Sequence, residues 1–410
     1  MRGHRAREHT ARAILVALLP LVLTACAVWP PHPGPGACRP SFPYQGGWLG
    51  ADAAYSVPLS ATESVWLFGD TFVGAPGQSA RVGSKFIHNS IAVSRCEAGR
   101  WRIRYFWGRR PDGSPQAFLK REAEDAWWWL FDGFLHEGRL YIGLLEVEDS
   151  PPRGPLALPF RFSGMQLARV DNPTADPAKW RIELLSLSRS PVALPGSAMV
   201  VEGDYVHLYT FLDRGDGRFP RALARLPLAA LTSRATDPAS ALEYLARDGR
   251  WKPGLDPEDA RILMADNATE MSVSYRPELD QWLALYNYPD RGEGHGAEVP
   301  SDGVYVRTAK ALEGPWTEPR LLFRIPELDP DFVGGYDADT ACYAAKEQPQ
   351  FSRPGRVTFT YVCNLFTPPG KDPWPILKRL LVAMNLYRPN TVSLPLPAEL
   401  RFPAATAASP

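Results

Sequence analysis

One unit recurs along this chain: two β-rich runs joined by a polar turn, with a short polar or acidic residue just ahead of the first run. The five instances are 55–59 with 65–69, 134–135 with 140–145, 198–201 with 205–211, 272–275 with 282–287, and 342–345 with 357–363. Just before each first arm stand Asp52, Asp132, Ser197, Glu270 and Asp339, at steps of 80, 65, 73 and 69 residues. Apolar runs of strand length bounded by turn residues read as hairpins. A near-even repeat of this length, long enough for a four-stranded sheet, predicts an all-β fold, a five-bladed β-propeller in a single domain. A pair of β-sandwiches is the competing arrangement; the even spacing and the shared polar end of the hairpins favour the propeller. Outer strands are visible at 90–94, 101–106 and 303–309, and the main helical candidate is 229–246.

Composition agrees. The 410 residues carry 45 basic against 45 acidic side chains and are 45% hydrophobic, 22% charged and 11% aromatic. That excludes a disordered chain, a multi-span membrane protein and a polybasic nucleic-acid binder. The 42 prolines, about twice the usual share, point to ordered loops rather than long helices.

The first 25 residues carry Arg2, Arg5, Arg7 and Arg12 followed by an apolar run too short to span a bilayer comfortably, the pattern of an export signal. The run ends Leu23-Thr24-Ala25-Cys26, which resembles the lipobox of bacterial lipoproteins and implies cleavage before Cys26 and lipidation of its thiol. Expected domains are a signal peptide at 1–25, a Pro/Gly-rich tether at 26–40, the propeller at 41–400 and a tail at 401–410. Ala27 after the cysteine favours an outer-membrane anchor facing the cell envelope. In an exported chain disulfides persist. Cys342 and Cys363 lie on the two arms of one hairpin and are expected to pair, leaving Cys38 with Cys96; no CxxC spacing suggests zinc.

A hairpin brings the start of its first strand beside the end of its second, so Asp52 and Asp70 should share a rim, with Asp132, Glu270 and Asp339 at the same rim of other blades. Converging carboxylates raise one another's pKa and are costly unless they bind a cation, share protons or do acid–base chemistry. Glycoside hydrolysis needs such a set. Glu202 falls in a turn at the opposite end. Candidate substrate contacts are His88, Asn89, Asp339, Tyr343, Trp48 and Arg307. Other aromatics near the rim are Trp107, Trp127–Trp129 and Tyr336, and Arg81 and Lys85 could meet a charged sugar.

The segments Asp52-Ala53-Ala54-Tyr55-Ser56 and Phe68-Gly69-Asp70-Thr71 resemble the start of the uncharacterised-domain family 4185. The later Asn89-Ser90, Glu270-Met271-Ser272, Gly314-Pro315-Trp316 and Cys342-Tyr343-Ala344-Ala345-Lys346 elements are similar to its later blades. The resemblance implies a propeller related to the furanosidases of glycoside hydrolase families 43, 32 and 68; some members of the 4185 group are endo-acting D-arabinanases. It carries the catalytic aspartate pair over to Asp52 and Asp70, and the acid glutamate to Glu270. Ser197 departs from the pattern at the third rim position, and Asp-Ala-Ala from the commoner glycine-containing form.

The expected function is an exported, lipid-anchored glycoside hydrolase on furanoside, arabinan-like polysaccharide, with Asp52 as base or nucleophile, Asp70 or Glu270 as acid and Asp132 tuning. It is expected to act as a monomer, with no organic cofactor and no nucleic-acid partner. An axial Ca²⁺ is compatible with hard oxygen ligands converging there. Ser197 favours the alternative, a non-catalytic carbohydrate-binding propeller. A third reading is a protein-docking platform.

Overall fold

A computed structural model describes residues 38–400 apart from 154–157, 233–236, 266–267, 288–301, 335–336 and 369. The leader, Cys26, most of the tether, Tyr336 and the 401–410 tail lie outside the described residues.

Five antiparallel sheets follow one another along the chain. Blade 1 holds β1 (Trp48–Pro58), β2 (Glu63–Val73), β3 (Lys85–Ile87), β4 (Ser90–Glu97) and β5 (Arg100–Phe106). A short hairpin of β6 (Gly108–Arg109) and β7 (Pro115–Gln116) leads to blade 2: β8 (Ala126–His136), β9 (Arg139–Arg153), β10 (Leu158–Val170) and β11 (Ile182–Ser188). Blade 3 is β12 (Ala193–Glu202), β13 (Tyr205–Leu212), β14 (Arg221–Pro227), β15 (Glu243–Leu245) and β16 (Trp251–Pro253). Blade 4 is β17 (Ser272–Arg276), β18 (Gln281–Tyr286), β19 (Gly303–Ala309) and β20 (Arg320–Arg324), and blade 5 is β21 (Thr340–Glu347), β22 (Arg356–Leu365) and β23 (Asn390–Pro395). The first strand of each blade packs on the first strand of the next, and β21 packs on β1, so the five close a ring. This is the five-bladed propeller, with every expected hairpin in place. The core lies between blades: Tyr55, Val57, Phe131 and Leu144 join one cluster across blades 1 to 3, while Leu283, Leu285, Phe359 and Tyr361 join another across blades 4 and 5.

The innermost strands are not regular. The ladders break between Ala51, Ala53 and Tyr55 in β1, between Leu130 and Gly133 in β8, between Pro195 and Ala198 in β12 and between Tyr343 and Lys346 in β21. Ala53, Ala54 and Ala344 take φ of 63°, 69° and 61°, a left-handed conformation that disfavours a side chain. Bulges bend a strand and re-aim its side chains. Here they fall where Asp52, Asp132, Ser197 and Tyr343 stand, so these residues lie within bulged strands rather than ahead of them.

Both expected disulfides form, Cys38–Cys96 and Cys342–Cys363, the second between ladder partners. Bonds of this kind belong to an exported protein in an oxidising compartment. Among the described residues no helix is long and apolar enough to cross a membrane. The expected helix at 229–246 is a correction: among the described residues of that stretch only those of α1 (Leu228–Thr232) are α-helical, and Pro238 opens a single 3-10 turn before β15. A helix that the sequence did not suggest, α2 (Trp374–Val382), sits between β22 and β23 and is followed by a loop carrying Tyr387. Arg81 clamps this loop against blade 1, donating to the carbonyls of Leu49, Leu380, Ala383 and Leu386. It is fully buried and structural, not a sugar contact.

Candidate active site

Asp52 and Asp70 come together by register. In the β1–β2 ladder Ala51 pairs with Thr71 and Ala53 with Phe68, so the bulged Asp52 faces both Gly69 and Asp70. A Cβ on Gly69 would stand 2.5 Å from Asp52 Oδ1, so glycine is what lets the carboxyl lie against β2. Asp52 Oδ2 accepts hydrogen bonds from the hydroxyls of Tyr343 (2.9 Å) and Tyr387 (3.2 Å). Burial, then the negative charges of Asp70 and Glu270, push its pKa well above the usual carboxylate range, and the two tyrosine hydrogen bonds only partly offset this. Asp70 Oδ1 accepts from Trp129 Nε1 (2.9 Å) and lies 3.0 Å from His88 Nδ1. No donor among the described residues is hydrogen-bonded to its Oδ2.

Glu270 precedes β17 and forms an ion pair with Lys346 Nζ at 3.1 Å. Lys346 is buried on β21 with its ammonium 4.1 Å from the ring centroid of Tyr55. Burial lowers its pKa, while Glu270, Asp52 and Asp132 act to raise it. One lysine is therefore the cation among these acids. Asp132 accepts from the backbone N–H of Met199 (2.7 Å) and of Gly133 (2.8 Å), and burial outweighs these bonds, so its pKa is pushed up to about 7. Ser197, the third rim residue, spends its hydroxyl on the Tyr209 carbonyl. Among the described residues no three His, Cys, Asp or Glu side chains are grouped to hold a metal, and the ammonium of Lys346 already meets Glu270.

Aromatic rings flank the aspartate pair. Alternation along β8 sends Trp128 into the core and leaves Trp127 and Trp129 half-buried on the other face. His88, 39% exposed at its side chain, stacks on Trp127 with centroids 4.3 Å apart, and Trp129 meets Phe160 edge-on at 4.9 Å. Beside Asp52 the exposed Phe366 packs on Tyr343 at 5.6 Å.

Four expected substrate contacts are elsewhere. Asn89 is fully buried and binds the backbone of Leu119 twice and the Trp128 carbonyl once, leaving nothing for a ligand. Trp48 is fully buried and stacks on Tyr105 inside blade 1. Arg307 is buried in blade 4, bonded to the Tyr286 hydroxyl and the Thr317 carbonyl. Asp339 is ion-paired with Arg379 of α2 rather than turned to the other acids. His88 and Tyr343 do lie beside the aspartate pair. Sequence reading missed Lys346 and Tyr387 as site residues. A lysine directly after the alanine pair of a strand, in Ala344-Ala345-Lys346, was the available signal for the first; nothing marked the second.

Among solved structures, a protein of Bacteroides ovatus ATCC 8483, provisionally described as a hydrolase, superposes with a TM-score of 0.62 at 17% identity, over 85% of this chain and 86% of that one. An α-L-arabinofuranosidase of Podospora anserina gives 0.43 at 11% identity, over 88% and 96%. An α-L-arabinanase of Cellvibrio cellulosa gives 0.41 at 11%, over 85% and 92%. The first bears on the fold alone, and the looser two carry no weight. No curated protein matches the sequence. Residues 42–394 match the model of the domain of unknown function DUF5005, a different family from the one its FGDT motif resembles, and the chain belongs to that DUF5005 family.

Proposed function

We propose that the protein is a glycoside hydrolase acting on furanoside, arabinan-like polysaccharide, exported and lipid-anchored through Cys26, with 26–40 as tether and 41–400 as propeller. One observation carries the reading. Asp52 and Asp70 oppose each other across a bulged hairpin, one with raised proton affinity and the other held by two ring nitrogens, beside a set of aromatic rings. Two carboxyl groups in unlike environments are what glycosidic cleavage needs. The electrostatics favour roles opposite to those expected from the sequence. Asp52, which keeps its proton to higher pH, donates it to the leaving glycosidic oxygen. Asp70, oriented by Trp129 and His88 through Oδ1, uses Oδ2 as nucleophile or as the base that takes a proton from water. Glu270 is tied to Lys346 and sets the local field, and Asp132 braces β8 against β12. Trp127, Trp129 and Phe366 offer apolar faces to sugar rings.

The test is reducing-sugar release from arabinans, fructans and arabinogalactans by the protein and by Asp70→Asn. Release by the parent and none by the variant supports the reading. Release that survives Asp70→Asn sinks the site. The absent third carboxylate at Ser197 and the Glu270–Lys346 pair favour a second reading, a carbohydrate-binding propeller without hydrolysis, which retention on a polysaccharide gel without release would support. Incorporation of labelled palmitate, lost in Cys26→Ser, tests the anchor.

A further inference from the structure

The outer edge of blade 1 is basic in a chain whose charges otherwise balance. Alternation along β5 puts Arg100, Arg102 and Arg104 on its exposed face, about 7 Å apart, and of these only Arg104 has an ion-pair partner among the described residues, Asp176. The strand runs directly into Trp107 and then Arg109 of the β6–β7 hairpin. There a cavity of about 320 Å³ opens, lined by Trp107, Arg109, Lys85, Val73 and Gly83 among others, with no carboxylate in its wall. Along the backbone it lies near Asp70. Lys85 pairs with Val73 in the β2–β3 ladder, and Val73 lies three residues beyond Asp70 on β2, about 10 Å along the strand. Between them Phe86 is exposed and meets His88 edge-on at 6.1 Å.

The cavity is built rather than incidental. Arg109 Nη1 donates to the Gly113 carbonyl at 3.0 Å, and Gln116 Nε2 bonds the Arg109 carbonyl at 2.9 Å, which holds the guanidinium on a short, fixed hairpin. Gly108 fits where a Cβ would stand 2.5 Å from the Ala117 carbonyl oxygen. No carboxylate pairs with Lys85 or Arg109 among the described residues. A ring face from Trp107 beside two unpaired cations suits a sugar that carries a negative group, since an indole covers its apolar face while an ammonium and a guanidinium take its anionic oxygens.

We propose that this cavity is a subsite for an anionic glycan, one bearing uronate carboxylates or phosphodiesters. The inference rests on the proposed function for its saccharide ligand and adds the chemical class of that ligand. The test is calorimetric binding to the purified protein of three probes: a galacturonate oligosaccharide, a glycerol-phosphate oligomer and a neutral arabino-oligosaccharide. The same titrations are run on Lys85→Ala/Arg109→Ala and on Trp107→Phe. One anionic probe should bind, more weakly at higher salt, and the double variant should bind it about tenfold or more weakly; whichever anionic probe it is identifies the group. Trp107→Phe keeps a ring and should lose less. Equal binding of all three probes, anionic binding that ignores the double substitution, or no binding by any probe overturns the subsite. Cleavage of neutral arabinan with no anionic preference would remove the subsite and leave the hydrolase. Anionic binding without cleavage of any glycan would do the reverse.

Discussion

Two buried carboxyls on neighbouring blades have opposite surroundings. Glu347, at the far end of β21, is fully buried and accepts from Arg276 Nη1 (2.6 Å), Ser352 Oγ (2.6 Å) and Ser274 Oγ. Arg276 is itself completed by Glu278 and the carbonyls of Arg353 and Arg356. Asp52 has two tyrosine hydroxyls and no cation bonded to it, and the charges that shift it most, Asp70 and Glu270, have its own sign. A buried acid matched by a cation fastens blade 4 to blade 5. An acid set against other acids has its proton affinity raised, at a cost to the fold.

The contrast can be broken by substitution. Glu347→Ala strands the Arg276 guanidinium in the interior and should cost about 3–5 kcal/mol, read as a large fall in Tm, whereas Asp52→Asn removes a repulsion and should hold or raise Tm. Equal Tm losses in the two variants would erase the distinction. Asn89→Ala, losing three hydrogen bonds to buried backbone, should destabilise by about 2–3 kcal/mol yet leave any turnover per folded molecule intact; lost turnover at full stability would return Asn89 to the site. Gly69→Ala sharpens the comparison, because its Cβ would stand 2.5 Å from Asp52 Oδ1. It should cost about 1–3 kcal/mol and displace the carboxyl, so activity falls further than stability does. Unchanged activity would mean that Asp52 need not lie where it does.

A further effect is a pH dependence. The pKa of Asp132 rises from 3.8 to about 7 on folding. Below the lower value folded and unfolded chains both hold the proton, and between the two values only the folded chain does. Raising pH through this window therefore favours unfolding. The Tm of the parent should fall relative to Asp132→Asn between about pH 4 and pH 7 and run parallel to it above. Parallel curves throughout would mean that Asp132 titrates alike in both states.

Much of this architecture is legible in the sequence because hairpins are local. Apolar runs and polar turns locate all five inner pairs, and a cysteine on each arm of one hairpin locates Cys342–Cys363. Proximity of Asp52 and Asp70 follows from the same geometry. The bulges are not legible: Ala53, Ala54 and Ala344 adopt left-handed conformations that alanine does not advertise, and these set which side chains reach the axis. Long-range partners are equally hidden. Tyr387 reaches Asp52 across 335 residues through a helix with no strong signal, and Arg379 claims Asp339 from 40 residues away. Trp48 has the composition of a sugar platform, yet Tyr105 covers it, a fact of packing within the blade that composition does not carry.

The central claim is that Asp52 holds its proton well above the ordinary carboxylate range because it is buried beside Asp70 and Glu270. NMR titration of the protein with carbon-13 in its aspartate side-chain carboxyls reads this directly, with Asp132→Asn as background so that the other raised aspartate is removed. The account predicts one carboxyl titrating far above the rest, absent from the spectrum of Asp52→Asn and shifted to lower pH in Asp70→Asn. Aspartates that all titrate in the ordinary range, or a raised one indifferent to Asp70, would contradict it.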